Sequence, residues 1–287
     1  MEKKILVTGG DERQIYLAEA LRKAEFEVTF VNYLEQLSKE KIEKYQVLLL
    51  PIVVSKECLS YCSDVMRKGQ KIYGGLFPED FVQLCKKKGV ILCDYTKEDT
   101  IAIKNAVATA EGAIAEAIIN SKMNLHGSQC LVIGFGRCGE ILADKLNGLK
   151  CNVTVMVRNE EKMARATAYG YHVKPCGSIK EHRLLKEKEE CYQFIFNTVP
   201  AMIADRQFLQ EQKNTVTIID IASAPGGVDY QACKEFGIMA KNCLSLPGKY
   251  APKTSAYILA EAVMNRETSR DMRHSLIGIY EICKLHE

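Results

Sequence analysis

Cys130-Leu131-Val132-Ile133-Gly134-Phe135-Gly136-Arg137-Cys138-Gly139-Glu140-Ile141-Leu142-Ala143 is the stretch that decides the fold. An apolar run of strand length enters a turn with glycines at Gly-x-Gly-x-x-Gly spacing, and a helix-forming run follows. Gly134 permits the tight turn, Gly136 lets the backbone approach a pyrophosphate, and Gly139 lets the helix pack on the strand. The first N–H groups of that helix, together with its dipole, favour phosphate. Gly134, Phe135, Gly136, Arg137 and Cys138 are therefore read as dinucleotide contacts. S-adenosylmethionine binding and a ligand-free structural turn are the alternatives.

A second strand over 152–157 follows and ends in Arg158-Asn159, with Arg158 standing 19 residues past Gly139. An acidic side chain at that distance accepts from ribose hydroxyls, whereas a guanidinium pairs with a 2′-phosphate. Arg158 and Asn159 thus favour NADP. NAD is the alternative if Arg158 only stacks on adenine, with Glu160 and Glu161 beside it.

Outward from this unit the chain alternates strands and helices. Towards the N-terminus, strands are expected at 3–8, 27–32, 47–50, 71–74 and 90–93, with helices at 12–23, 57–68 and 79–87. Towards the C-terminus, strands are expected at 192–197 and 215–221, helices at 160–169 and 229–236, and helical structure throughout 253–284. Such alternation makes parallel sheets flanked by helices. The fold class is α/β with two such domains, the second a Rossmann dinucleotide-binding domain. The small and apolar residues from Val107 to Ser121 read as a connector helix. The expected domains are 1–120 and 121–287, with the C-terminal helices crossing back to the first as an open possibility. Thr8-Gly9-Gly10-Asp11 lacks the full glycine pattern and is read as shaping a cleft.

The 287 residues are 47% hydrophobic and 26% charged, with 39 Lys and Arg against 36 Asp and Glu. That balance suits an ordinary globular protein, and it lacks the dense basic face that nucleic-acid binding needs. No signal-peptide pattern or membrane-length apolar run is visible, so a cytoplasmic protein is expected. The twelve cysteines are scattered without a Cys-x-x-Cys pair, so buried reduced thiols are expected and no metal site.

Three segments follow strand ends of the second domain, where ligands bind in open parallel sheets. They are Asn197-Thr198-Val199-Pro200, Ala222-Ser223-Ala224-Pro225-Gly226-Gly227 and Leu246-Pro247-Gly248-Lys249-Tyr250-Ala251-Pro252-Lys253-Thr254. Thr198, Pro200 and Ser223 are read as cofactor contacts. The Gly226 and Gly227 amides, Lys249 and Thr254 suit a carboxylate.

These motifs, with Gly9-Gly10-Asp11, Arg13-Gln14, Thr109-Ala110-Glu111-Gly112, His126-Gly127-Ser128, Asp229 and Ala251-Pro252-Lys253-Thr254, resemble the A subunit of dipicolinate synthase from spore-forming bacteria over nearly the whole chain. The resemblance implies oxidation of dihydrodipicolinate, or its hydrated precursor, to pyridine-2,6-dicarboxylate during sporulation. It also implies partnership with a flavoprotein-like B subunit, and the mother-cell cytoplasm as location. A homo-oligomer is expected as well. Arg13 from the first domain, Thr109, Lys249, Thr254 and the Gly226-Gly227 amides are the candidate substrate contacts. Glu111, Tyr250 and Lys253 are the candidate catalytic groups.

Other classes fit less well. A D-2-hydroxyacid dehydrogenase needs a late histidine, and none lies between His182 and His274. An alanine-dehydrogenase-like enzyme needs a histidine in the first domain, and the first 125 residues have none. A non-catalytic NADP-binding protein that organises the B subunit is the alternative of a different kind.

Overall fold

Ile5, Leu6 and Val7 are each fully buried, as are Val47, Leu48 and Leu49. Strands covered on both faces need such unbroken apolar runs, because successive side chains point to opposite sides. The computed structural model describes residues 3–176 and 191–268. Residues 269–284 of the expected C-terminal helix, and with them His274 and Cys283, lie outside the described residues, as do His182 and His286. The chain divides into two units, one made of residues up to Asn105 and again from Ala251, the other of Ala106–Tyr250.

In the first unit, β1 (Lys4–Thr8), β2 (Glu27–Val31), β3 (Val47–Leu49), β4 (Lys71–Gly74) and β5 (Ile91–Asp94) form a parallel sheet in the order β2-β1-β3-β4-β5. Ile5, Val7, Val47 and Leu49 face Leu17, Ala18 and Leu21 of the helix Arg13–Lys23 together with Ala256, Leu259, Ala260 and Val263 of the helix Pro252–Glu267. Leu6, Leu48 and Ile72 face the other way, onto Cys62, Val65, Phe81 and Cys85. Each Leu, Ile or Val so buried contributes roughly 1.5–3 kcal/mol.

In the second unit, β6 (Gln129–Ile133), β7 (Asn152–Val157), β8 (His172–Pro175), β9 (Phe194–Asn197), β10 (Thr217–Asp220) and β11 (Met239–Asn242) are also parallel, in the order β11-β10-β9-β6-β7-β8. The chain builds outward from β6 through β7 to β8, then returns to the other side of β6 with β9. The order reverses between β6 and β9, and the carboxyl ends at such a switch point are where a doubly wound sheet binds ligands. This is the expected Rossmann arrangement.

Two edge strands, β8 and β11, are not signalled in the sequence. Both are four residues long with exposed ends and only half-buried centres, so neither carries an apolar signature. The connector helix runs Asp99–Asn120, beginning earlier than its small residues suggest. Ala110, Ala113 and Ala117 enter the core of the second sheet. The units consequently divide at 105/106 and 250/251, whereas the sequence alone suggests a boundary at 120 and leaves the return of the C-terminal helices to the first domain open. Among the described residues no helix is long and apolar enough to cross a membrane.

Candidate functional site

The glycine turn leaves β6 with Gly134 at φ +97°, in the left-handed region that disfavours side chains. A Cβ on Gly134 would overlap Thr198 Oγ1 and Val199 Cγ2, and one on Gly139 would overlap the Gly134 carbonyl. Gly136 differs, since a Cβ there would meet nothing within 4 Å. Two glycines thus close the turn against the protein while the middle one faces open space, the cradle a pyrophosphate needs. The helix Arg137–Gly148 starts at Gly136 with no side chain capping its first N–H groups, which leaves that end suited to an anion. The residues present fit a dinucleotide.

Around the turn, Thr198 Oγ1 donates to the Ile133 carbonyl at 2.9 Å and ties β9 to β6. Burial pushes the Cys138 thiol up, opposed by the Arg137 charge and by a hydrogen bond with Thr109 of the connector helix. Thr109 therefore stands at the start of the turn helix, beside the proposed cofactor contacts. Arg137, Arg158, Pro200 and Ser223 are exposed, and Phe135 is buried. Asn159, also exposed, has a structural part as well. Its side chain accepts from the Lys162 N–H at 3.2 Å and caps the helix Glu160–Ala168, so its acceptor is already engaged.

The Gly226-Gly227 amides also depart from the expectation. Gly226 N–H donates to the Ser223 carbonyl at 2.9 Å, and Gly227 N–H donates to Asp220 Oδ2 at 3.4 Å. Both amides point into the protein rather than towards a substrate. Gly227 is a glycine because a Cβ would strike Asn197 Nδ2 and the Val199 and Ala201 carbonyls. Asp220, at the carboxyl end of β10 and fully buried, accepts from Asn197 Nδ2 at 2.8 Å, Ala222 N–H at 3.1 Å and Tyr230 Oη at 2.9 Å as well.

Lys249 is likewise committed. Its ammonium donates to Glu116 Oε1 at 2.5 Å, and Lys241 donates to Oε2 at 2.8 Å. The Glu116 side chain is only 3% exposed. Burial pushes its carboxyl up, but hydrogen bonds from Lys241, Lys249 and Tyr250 outweigh this and hold it at about 2. The Tyr250 hydroxyl donates to Glu116 and accepts from Lys249, whose ammonium lies 4.9 Å from the Tyr250 ring centroid. Gly112 makes room for this cluster, because a Cβ there would press on Leu246 Cβ and Tyr250 Cδ2 at 2.9 Å.

Glu111, the expected base, is exposed and paired with Lys145 at 2.8 Å. Lys145 lies eight residues into the turn helix, about 12 Å along its axis from Arg137 at 1.5 Å per residue. Glu111 is thus bound to the flank of that helix, away from the turn. Its place as the carboxylate of interest passes to Glu116, which the sequence does not single out.

In the first unit, Arg13 is buried and its guanidinium pairs with Asp11 through Nε, at 2.8 Å to Oδ1, and through Nη2. Partial burial pushes the Asp11 carboxyl up, yet the Arg13 hydrogen bonds and charge bring it below the usual range. Glu267 ends the helix Pro252–Glu267 on Lys3, just before β1, and on Lys71, which opens β4. That contact fixes the helix end at the amino edge of the first sheet. Its other end, with the exposed Lys253 and Thr254, lies at the carboxyl edge, where Arg13 follows β1.

The eleven described cysteines are free thiols. Among the described residues no group of three His, Cys, Asp or Glu is placed to hold a metal.

No family model matches the chain. It is 31% identical over 289 residues to the dipicolinate synthase A subunit of Bacillus subtilis (strain 168), covering 91% of this chain and 94% of that protein. The solved structure of the dipicolinate synthase A subunit from Bacillus halodurans superposes with a TM-score of 0.81 at 25% identity, over 94% of this chain and 99% of that one. The transhydrogenase from Sinorhizobium meliloti superposes with a TM-score of 0.69 at 13% identity over 92% of each chain, a likeness of fold alone.

Proposed function

Because this chain belongs to the family of dipicolinate synthase A subunits, we propose that it oxidises dihydrodipicolinate, or that compound's hydrated precursor, to pyridine-2,6-dicarboxylate with NADP as electron acceptor. The observation that carries this reading is the turn in which Gly134 and Gly139 are closed by the protein while Gly136 stays open, with Arg158 exposed at the tip of β7. A bound nicotinamide would supply the acceptor for the hydride that the substrate ring gives up. A proton leaves the neighbouring ring atom, so two hydrogens are lost and an aromatic ring forms; the hydrated precursor loses water as well.

The chain's own groups supply orientation and proton transfer. Gly134, Phe135, Gly136, Arg137 and Cys138 seat the pyrophosphate, Arg158 pairs with the 2′-phosphate, and Thr198, Pro200 and Ser223 border the nicotinamide half. We assign proton removal to Tyr250 Oη, which sits between Lys249 and Glu116. Lys249 therefore acts on Tyr250 rather than on a substrate carboxylate. Arg13, Lys253 and Thr254, at one edge of the first sheet, are the groups proposed for the two carboxylates, Asp11 holding Arg13 through Nε and Nη2. The protein works with a B subunit, as a homo-oligomer, in the cytoplasm of the mother cell.

The test is dipicolinate formation by the purified chain, alone and with the B subunit, followed by product absorbance and NADPH fluorescence. One NADPH should appear per dipicolinate, and NADPH should bind more tightly than NADH. Arg158→Asp should weaken NADPH by about 1.5–3 kcal/mol, the range for a charged hydrogen bond. Tyr250→Phe should slow turnover and leave NADPH affinity intact. Equal affinity for the two cofactors would overturn the NADP assignment, and no dipicolinate with the B subunit present would overturn the reaction.

A further inference from the structure

We infer that Asp220 is a positioning residue for the nicotinamide half of the dinucleotide site, an inference that rests on the dinucleotide reading above. The carboxylate is fully buried at the carboxyl end of β10. Four neutral donors converge on it: Asn197 Nδ2 and Ala222 N–H on Oδ1, Tyr230 Oη and Gly227 N–H on Oδ2. Among the described residues no lysine or arginine pairs with it. Burying a carboxylate without a cation is costly unless hydrogen bonds compensate, and a neutral side chain would tie a plain turn at lower cost. What the carboxyl group provides is two accepting oxygens, so that one side chain fixes two loops at once.

The first of those loops leaves β9. Asn197 turns back on its own chain, with Nδ2 donating to the Val199 carbonyl at 3.0 Å and Oδ1 accepting from Val199 N–H at 3.2 Å. This shape sets Thr198 and Val199 against Gly134, the contact that leaves no room for a Cβ. The second loop leaves β10 and includes Ser223, tied through Gly226 and Gly227. Both loops stand on the β9–β10 side of β6, whereas Arg158 ends β7 on the opposite side. A dinucleotide laid across the switch point puts one mononucleotide half on each side. Asp220 therefore acts on the nicotinamide half and leaves the adenosine half alone.

That division supplies a measurement which general loss of structure cannot imitate. NADPH spans both halves, while adenosine 2′,5′-bisphosphate occupies only the half beside β7. Asp220→Asn puts an amide NH2 among donors, and it should weaken NADPH binding by about tenfold while bisphosphate affinity stays within about twofold. Tyr230→Phe removes one donor from a partly exposed side chain and should cost about threefold. It carries the same comparison if Asp220→Asn does not fold. Unchanged NADPH affinity in Asp220→Asn, or equal loss of both ligands, would overturn the inference. If the unmodified protein binds neither ligand, the dinucleotide reading itself falls and the inference with it.

Discussion

Glu116→Gln keeps the shape of the side chain and removes its charge from beneath Lys241 and Lys249. A carboxyl held at about 2 against an ordinary 4.5 is favoured in its ionised form by at most about 3 kcal/mol, at 1.36 kcal/mol per tenfold. The Lys241 and Lys249 side chains are 38% and 56% exposed, so water screens part of this, and about 1–2 kcal/mol is the expected loss of stability near pH 7. The folded carboxyl sits below its unfolded value, so its contribution is complete above about pH 5 and disappears as pH falls from 4.5 towards 2. The variant has no such contribution at any pH. Urea unfolding of both proteins from pH 7 to pH 3 isolates the effect, because every other carboxylate cancels in the difference. The gap should be widest at neutral pH and close on acidification, with faster hydrogen exchange in Leu246–Tyr250 of the variant at pH 7. A gap that is the same at pH 3 and pH 7, or absent at pH 7, would refute the assignment of Glu116 as the ionised anchor of that segment.

Gly136→Ala should leave the melting temperature nearly unchanged, since its Cβ meets nothing, yet abolish NADPH binding; a variant that still binds would mean the turn does not carry the pyrophosphate. Gly139→Ala should instead destabilise the second unit, by about 1–3 kcal/mol of overpacking, because its Cβ meets the Gly134 carbonyl; circular dichroism melts compare the two. Glu267→Gln should destabilise the first unit by about 2–3 kcal/mol, since it leaves the buried Tyr73 hydroxyl and the Lys3 and Lys71 ammoniums without their shared carboxylate. Equal urea midpoints for that variant and the parent would count against this contact as the fastening of the C-terminal helix.

The sequence reveals the fold wherever burial is two-sided. Val47-Leu48-Leu49 and Cys130-Leu131-Val132-Ile133 are apolar without interruption because helices cover both faces of their sheets. Its voice fades at the sheet edges. His172-Val173-Lys174-Pro175 and Met239-Ala240-Lys241-Asn242 are strands because a neighbour supplies the ladder, and nothing in their composition requires it. The division inside the connector helix is equally silent, since an alanine packs into either unit with no change of pattern.

For the site, the glycines of the turn are legible, and the charges that pair over a distance are not. A glycine's role follows from the backbone it permits, and the backbone is local. A charged side chain's role depends on whether a distant residue has already claimed it. Glu111, paired with Lys145, and Lys249, paired with Glu116, read as a base and a substrate contact in the sequence because both partnerships span more than thirty residues. The residues that matter most are signalled by incongruity instead. Glu116 stands one helical turn from Ala113 in an otherwise apolar stretch, and Asp220 ends a strand whose other residues are all buried and mostly aliphatic. An acid on a face that must be buried has to find donors there, since leaving it unpaired would cost more than the surrounding packing contributes. Glu116 meets two lysines, an asparagine and a tyrosine, and Asp220 meets four neutral donors. The difference between those two sets is why the first acid should respond to pH as an ion pair does, and why the second holds loops in place.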